Sequence, residues 1–129
     1  MNTSKNKNWL YWLIAFISFA TALSGLVQML MPALILGIIK GDMAAANLHS
    51  FGIVGMFMLL FGGMMLHALL SHTHHPVTIL WSALQKFGAF VAVAIGVLND
   101  LFASIAWLVA FFDLASSILF FIYWRKIKQ

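Results

Sequence analysis

The sequence predicts an all-α integral membrane protein, a bundle of four transmembrane helices, and three observations lead to this class. Of its 129 residues, 64% are hydrophobic and only 8% are charged, with no glutamate. That composition excludes a soluble catalytic domain. The apolar residues fall into four runs, each long enough for the roughly 20 helical residues that one crossing needs. The runs leave almost no chain between them, so we predict a single transmembrane domain over residues 1–129.

Breaks between the apolar runs predict helices at about 9–31, 47–70, 78–98 and 102–124. The first helix should end before Pro32, because proline cannot continue it. The apolar segment 33–39 is too short to cross, and we predict a re-entrant or interfacial segment there. Only Asn99, Asp100 and their neighbours separate the last two runs, which predicts a tight helical hairpin.

Charge and aromatic residues predict the orientation. An even number of crossings places both termini on one side, and five of the seven basic residues lie near the termini: Lys5, Lys7, Arg125, Lys126 and Lys128. The positive-inside rule makes that side cytoplasmic, as in a bacterial inner membrane. Six aromatic residues fall near the same boundary and should anchor there: Trp9, Tyr11, Trp12, Trp81, Tyr123 and Trp124.

A cleaved signal peptide competes with the first transmembrane helix. Lys5 and Lys7 precede the apolar run, and the residues from Ala20 to Ala22 resemble a cleavage site. The apolar run nevertheless continues to Met31, as expected of a helix that stays in the membrane.

Small residues predict where the helices touch, because they let membrane helices approach closely. Gly88, Ala92 and Gly96 recur every four residues and predict the contact face of the third helix. A heptad stripe predicts the facing surface of the fourth: Ala103, Ala106, Ala110, Asp113 and Ser117. Further small residues predict contacts of the first two helices: Ser18, Thr21, Gly25, Gly52, Gly55, Gly62 and Gly63.

Lys86 and Asp113 are the two charges inside the predicted helices. An ionisable side chain at the bilayer centre costs about 2.5–3.5 kcal/mol on insertion scales, so it usually faces the bundle interior and a partner. Since both residues lie at similar depths on neighbouring helices, we predict that they contact each other. The competing arrangement has Lys86 extending to the headgroups and Asp113 protonated.

Other polar residues suggest weaker sites. Gln85 could help to solvate the charged pair, and Gln28, Asn47 and His49 could line a vestibule on the outer side. Four histidines, His67, His72, His74 and His75, cluster around one connection. We predict no metal site there, because too few donors converge and no cysteine or glutamate can complete the set. We also expect no catalytic residues and no cofactor, because the known catalytic templates are missing.

Three features resemble small four-helix bacterial membrane proteins of the DoxX-like and BphX-like group. They are a first helix closed by Pro32 with a short apolar segment after it, a glycine-rich second helix around Gly52 and Gly62, and a fourth helix carrying Asp113. The resemblance covers most of the chain. It implies this architecture and an accessory role near respiratory or catabolic redox systems. No catalytic residue is assigned from it.

Two kinds of function follow from these features. The first is a non-enzymatic accessory or scaffold protein in which the charged pair fixes helix register. The second is a small oligomeric carrier or channel for an ion, proton or amphiphile, with Lys86 and Asp113 lining its cavity. A quinone-dependent membrane enzyme is a third, weaker alternative. The expected partners are the bilayer and either a second copy or another membrane protein, and nucleic acid is not expected.

Overall fold

A computed structural model describes residues 7–128, so Lys5 lies outside the described part. Within it the chain forms five helices: α1 (Trp9–Leu30), α2 (Pro32–Ile38), α3 (Ala45–Leu70), α4 (Pro76–Leu98) and α5 (Ala106–Ile127). The four longer ones are long and apolar enough to cross a membrane. The segment predicted to be re-entrant or interfacial is the short helix α2.

Side chains and prolines determine where the helices begin. Asn8 caps α1, its Oδ1 accepting from the backbone N–H of Tyr11 at 3.1 Å. Pro32 and Pro76 occupy the first positions of α2 and α4, where a missing N–H costs no hydrogen bond. The α1 helix runs through Ala22 without a break.

The ends of α2 and α4 share one geometry. In each case the chain turns through a left-handed residue, Lys40 (φ 57°) or Asp100 (φ 59°). The next N–H reaches back to the last turn of its helix, from Gly41 to the Leu36 carbonyl at 2.9 Å and from Leu101 to the Gly96 carbonyl at 2.8 Å. These are Schellman motifs that use a residue other than glycine at the turn.

The last two long helices form the predicted hairpin, but their connection is longer than predicted, because α5 begins at Ala106 and not at residue 102. Residues 99–105 instead form a connection that folds back over α4. The Phe102 ring lies where a Cβ on Gly96 would be, 2.5 Å from the nearest ring carbon. The Ala103 N–H donates to the Ile39 carbonyl at 2.7 Å, which ties this connection to the end of α2.

The helices associate as two close pairs, α1 with α3 and α4 with α5. Glycines make the first pair possible. A Cβ on Gly55 would lie 2.6 Å from the Met29 nitrogen and 2.8 Å from the Gly25 oxygen, and one on Gly62 would lie 2.7 Å from the Ser18 oxygen. Backbone thus meets backbone, as predicted for these glycines.

Three predicted contact positions are wrong. Gly63 and Gly88 are exposed, and an added Cβ on either would meet nothing within 4 Å. Ala92 is also exposed. The buried side of α4 carries Ile79, Ser82, Ala83, Lys86 and Gly96. The stripe predicted on α5 is buried at Ala106, Ala110, Asp113 and Ser117.

The bundle end that holds the chain termini is closed by large side chains from all four long helices. Its buried cluster includes Leu10, Tyr11, Ile14, Ile17, Met65, Leu69, Ile79, Ala83, Phe120 and Tyr123. The Tyr11 hydroxyl donates to the Leu69 carbonyl at 2.8 Å. Tyr11 and Tyr123 are therefore core residues and not the exposed anchors that the sequence suggested, whereas Trp9, Trp12 and Trp81 are at least 58% exposed.

The opposite end is covered by α2 and the 99–105 connection. Leu36, Ile39 and Ala106 form a small buried cluster there, with Phe51 and Phe102 packed against it. Between this cover and the large core of the closed end, the two helix pairs leave open space.

Candidate functional site

Lys86 and Asp113 face each other inside the bundle, and the predicted contact is present. The Lys86 Nζ lies 3.2 Å from the Asp113 Oδ1, with side-chain exposures of 5% and 11%. Lys86 lies ten residues into α4, which places it about 15 Å along that helix. The ion pair is thus near the middle of the predicted crossing, where an isolated charge is most costly.

Two further residues complete the environment of the ammonium group. The Lys86 Nζ also donates to the Thr21 Oγ1 at 2.6 Å. On another side it lies 5.2 Å from the centre of the Phe112 ring, within the range of a cation–π contact. Lys86 therefore joins α4 to both α1 and α5.

A cavity of about 560 Å³ lies between the two helix pairs, on the side of the ion pair away from the closed end. Its wall is mainly apolar, with side chains from α2 (Ile35 and Ile39), α3 (Val54 and Met58) and α5 (Val109 and Phe112) among others. Its volume falls in the range of sites for drug-sized ligands, about 300–1,000 Å³.

The cavity opens at the surface of the bundle. Leu108 and Val54 contribute to its wall while being 72% and 51% exposed. They lie on α5 and α3, in opposite helix pairs. In a bilayer these positions face lipid, so a hydrophobic molecule could enter sideways without crossing water.

The polar groups of the wall lie mainly on α1 and α4. Thr21, Ser24 and Gln85 are within about one helical turn of the ion pair, and Gln28 lies two turns beyond Thr21 along α1. The Gln28 Nε2 donates to the Phe51 carbonyl at 3.0 Å, which leaves its oxygen as an acceptor. The Gln85 side chain has no protein hydrogen-bond partner in the described part of the chain. The cavity thus combines apolar walls with one polar region.

A second, much smaller space lies on the other side of Lys86. It measures about 10 Å³, close to the size of one water molecule, and Ser18, Thr21, Gln85 and Lys86 contribute to its lining. Ser82 lines it too, and the Ser82 Oγ is buried without a hydrogen-bond partner among the described residues. The polar region around Lys86 therefore extends from the cavity towards the closed end of the bundle.

The structure places the four residues predicted for the pathway and the outer vestibule in two different regions. Gln28 and Gln85 line the cavity, whereas Asn47 and His49 do not. Asn47 is exposed, and its Nδ2 donates to the Asp42 carbonyl at 2.6 Å in the α2–α3 connection. His49 is exposed on the first turns of α3.

The histidine cluster is a polar connection between α3 and α4. The His75 Nε2 lies 2.8 Å from the Ser71 Oγ, and His67 and His72 are exposed. Between residues 7 and 128 no three His, Asp or Glu side chains are placed so that they could hold a metal ion.

Sequence reasoning missed the role of Thr21 and the aromatic contact of Phe112. Thr21 was predicted only as a small packing residue. A signal was present in the sequence, because Ser18, Thr21 and Gln28 are separated by three and seven residues and so share one face of α1. A polar face opposite a buried lysine is a candidate partner for it.

Comparison with known proteins adds no relative: no family model, curated protein or solved structure matches this chain. The fold and the cavity therefore define a class, a four-span helical bundle with a partly polar internal cavity.

Proposed function

We propose that this protein is a non-enzymatic membrane protein that holds a small amphiphile in the cavity between its two helix pairs. The observation that carries the proposal is the cavity itself, about 560 Å³ with apolar walls and polar groups gathered beside Lys86 and Asp113. An amphiphile matches both parts, with its chain along the walls and its head at the polar region.

The lateral openings support binding from the bilayer. They make the protein suited to a carrier or accessory role, in which a molecule dissolved in the membrane is held and passed on. An accessory role is also what the resemblance of the sequence to DoxX-like proteins implies. Two copies of the protein could together enclose a transport pathway. Alternatively, the protein could pass its ligand to another membrane protein bound to it.

The orientation that we propose places the closed end and both termini at the cytoplasmic side of a bacterial inner membrane. The exposed Arg125, Lys126 and Lys128 near the end of α5 support it. The cavity then opens in the outer half of the bilayer. Labelling of single cysteines at His74 and Asp42 by an impermeant reagent tests this, since only Asp42→Cys should react from outside.

The test of binding fills the cavity with a side chain. Ala92 is exposed and lines the cavity, so Ala92→Phe should occupy its space without disturbing a buried contact. Ala115 is exposed on α5 and does not line the cavity, which makes Ala115→Phe a matched control. Native mass spectrometry of the detergent-solubilised full chain would count bound molecules of monopalmitoylglycerol, an uncharged single-chain probe.

We expect one bound probe in the wild type and in Ala115→Phe, and an occupancy at least about tenfold lower in Ala92→Phe, since a phenyl ring and a ligand cannot share the space. No binding, or equal binding by both variants, would contradict the proposal.

A scaffold role is the second candidate, and one observation favours it: Lys86 links α4 with Thr21 of α1 and Asp113 of α5. In a scaffold, the sole role of this link would be to fix the relative positions of α1, α4 and α5. Loss of probe binding in Ala92→Phe at unchanged thermal stability would separate the two roles.

A further inference from the structure

The charges around the cavity restrict the kind of head group that it can accept, and this inference rests on the proposed binding function. We infer that the occupant is a single-chain amphiphile with an uncharged, hydrogen-bonding head, in the chemical class of long-chain alcohols and monoacylglycerols. Fatty-acid anions and alkylammonium ions should be rejected.

The first step is that the ammonium group of Lys86 already has acceptors for two of its three hydrogens, one of them a carboxylate. Two of its hydrogens go to the Thr21 Oγ1 at 2.6 Å and the Asp113 Oδ1 at 3.2 Å, and the Phe112 ring covers another side at 5.2 Å. An ammonium group has only three donors. A carboxylate or phosphate head would have to compete with Asp113 for them.

The second step is that the charge of this region sums to zero. Lys86 and Asp113 are the only ionisable residues in the cavity lining formed by the described residues. An added anion or cation would thus be a third, uncompensated charge in a low-dielectric site, and stranding a charge there costs several kcal/mol. The ion pair favours neither sign of head group.

The third step is that neutral polar groups remain available at the same place. Gln85, next to Lys86 in the chain, offers both an amide donor and an acceptor, and the Ser24 hydroxyl, one turn from Thr21 on α1, can do either. The Gln28 oxygen is a further acceptor, two turns beyond Thr21. A hydroxyl or ester head can pair with these groups without displacing the ion pair. Recognition would therefore come from hydrogen bonds and not from charge.

The volume limits the rest of the molecule. A cavity of about 560 Å³ suits one drug-sized molecule. A bilayer phospholipid, with two acyl chains and a charged head, is larger than this. One chain with a compact head is the occupant that agrees with both the volume and the charge.

The experiment uses three probes with the same chain and different heads: hexadecanol, hexadecanoate and hexadecylamine. Each is added to the purified full chain in detergent, at a mildly alkaline pH at which the acid and the amine are ionised, and bound molecules are counted by native mass spectrometry. We expect hexadecanol to bind at least about tenfold more tightly than either charged probe, because only it avoids a third charge. Ala92→Phe should abolish this binding and Ala115→Phe should not.

A variant sharpens the test. Asp113→Asn leaves the Lys86 ammonium without a counter-charge, so hexadecanoate should then bind more tightly than hexadecanol, a reversal of the wild-type order. If this variant does not fold, the wild-type series decides alone.

The outcomes separate the two proposals. Binding of a charged probe as tightly as hexadecanol, still blocked by Ala92→Phe, would overturn the uncharged head and leave the binding function standing. Failure of all three probes to bind, or binding that Ala92→Phe does not change, would overturn the binding function and this inference with it.

Discussion

At the end of the bundle that holds the chain termini, the four long helices meet through large buried side chains such as Leu10, Ile14 and Phe120. Farther along the same helices, inward positions carry small residues such as Ala20, Ala89 and Ala92, and a cavity remains. Lys86 and Asp113 lie where the two regions meet. The change from large to small side chains along α1 and α4 thus separates the closed part of the bundle from the open part.

The comparison also shows that the two helix pairs differ in what holds them. The α1–α3 pair touches through glycine and backbone atoms over much of its length, so it stays close at both ends. Contacts between the pairs depend on the large side chains of the closed end and on the link from Lys86 to Thr21. Three predictions test this division.

The largest effect is expected for Gly55→Ala. The added Cβ would lie 2.6 Å from the Met29 nitrogen and 2.8 Å from the Gly25 oxygen, and neither backbone atom can yield without separating α1 from α3. We expect a destabilisation above about 4 kcal/mol, in the exceptional range for one substitution. The yield of folded protein and the Tm in detergent measure it.

Gly63→Ala is the control for this change, on the same helix. Nothing lies within 4 Å of its added Cβ, so its stability should stay equal or rise by less than about 1 kcal/mol through helix propensity. A Tm for Gly55→Ala equal to that of Gly63→Ala would show that the α1–α3 contact is looser than the structure has it.

Neutralising one member of the ion pair should have the next largest effect. Lys86→Met and Asp113→Asn each strand the remaining charge among apolar side chains, at an expected cost of about 3–5 kcal/mol. The double variant should lose less than the sum of the two, because it strands no charge. Thermal unfolding of the four proteins in one detergent gives the coupling.

Lys126→Met provides the matched control, since Lys126 is exposed on the last turn of α5, and its change should stay within about 0.5 kcal/mol. Strict additivity in the double-variant cycle would argue against an interaction between Lys86 and Asp113.

The smallest loss of stability is expected for truncating one apolar side chain, either at the closed end or in the cavity wall. Ile14 is fully buried at the closed end, whereas Val109 is 46% exposed in the cavity wall. Ile14→Ala should lower the free energy of unfolding by about 2 kcal/mol, the low end for core changes of this kind. The value is low because the hydrophobic effect does not drive association of helices that are already in lipid. Val109→Ala should cost less than about 0.5 kcal/mol. Chemical or thermal unfolding compares them, and equal losses would mean that the cavity closes in the membrane.

Most of the local structure followed from the sequence. The first long helix ends before Pro32, the four long helices match four apolar runs, and the two interior charges are partners. Prediction failed for the start of α5, placed four residues too early, because the Ala103 N–H bonds to the Ile39 carbonyl at the end of α2, a tertiary contact that no local pattern carries. Asn47 was predicted to line a vestibule, and it instead pairs with the Asp42 carbonyl in the connection before α3.

By itself the sequence determined the class of protein, the number of long helices and the presence of a charged pair that must be buried. These depend on composition and on run length, which are local properties. Only the tertiary structure decided that Gly55 is a contact and Gly88 is not, that Thr21 binds Lys86, and that a cavity separates the helix pairs. The physical reason is that lipid and a bundle interior are both apolar, so hydrophobicity does not distinguish the faces of a membrane helix, and only the packing of side chains does.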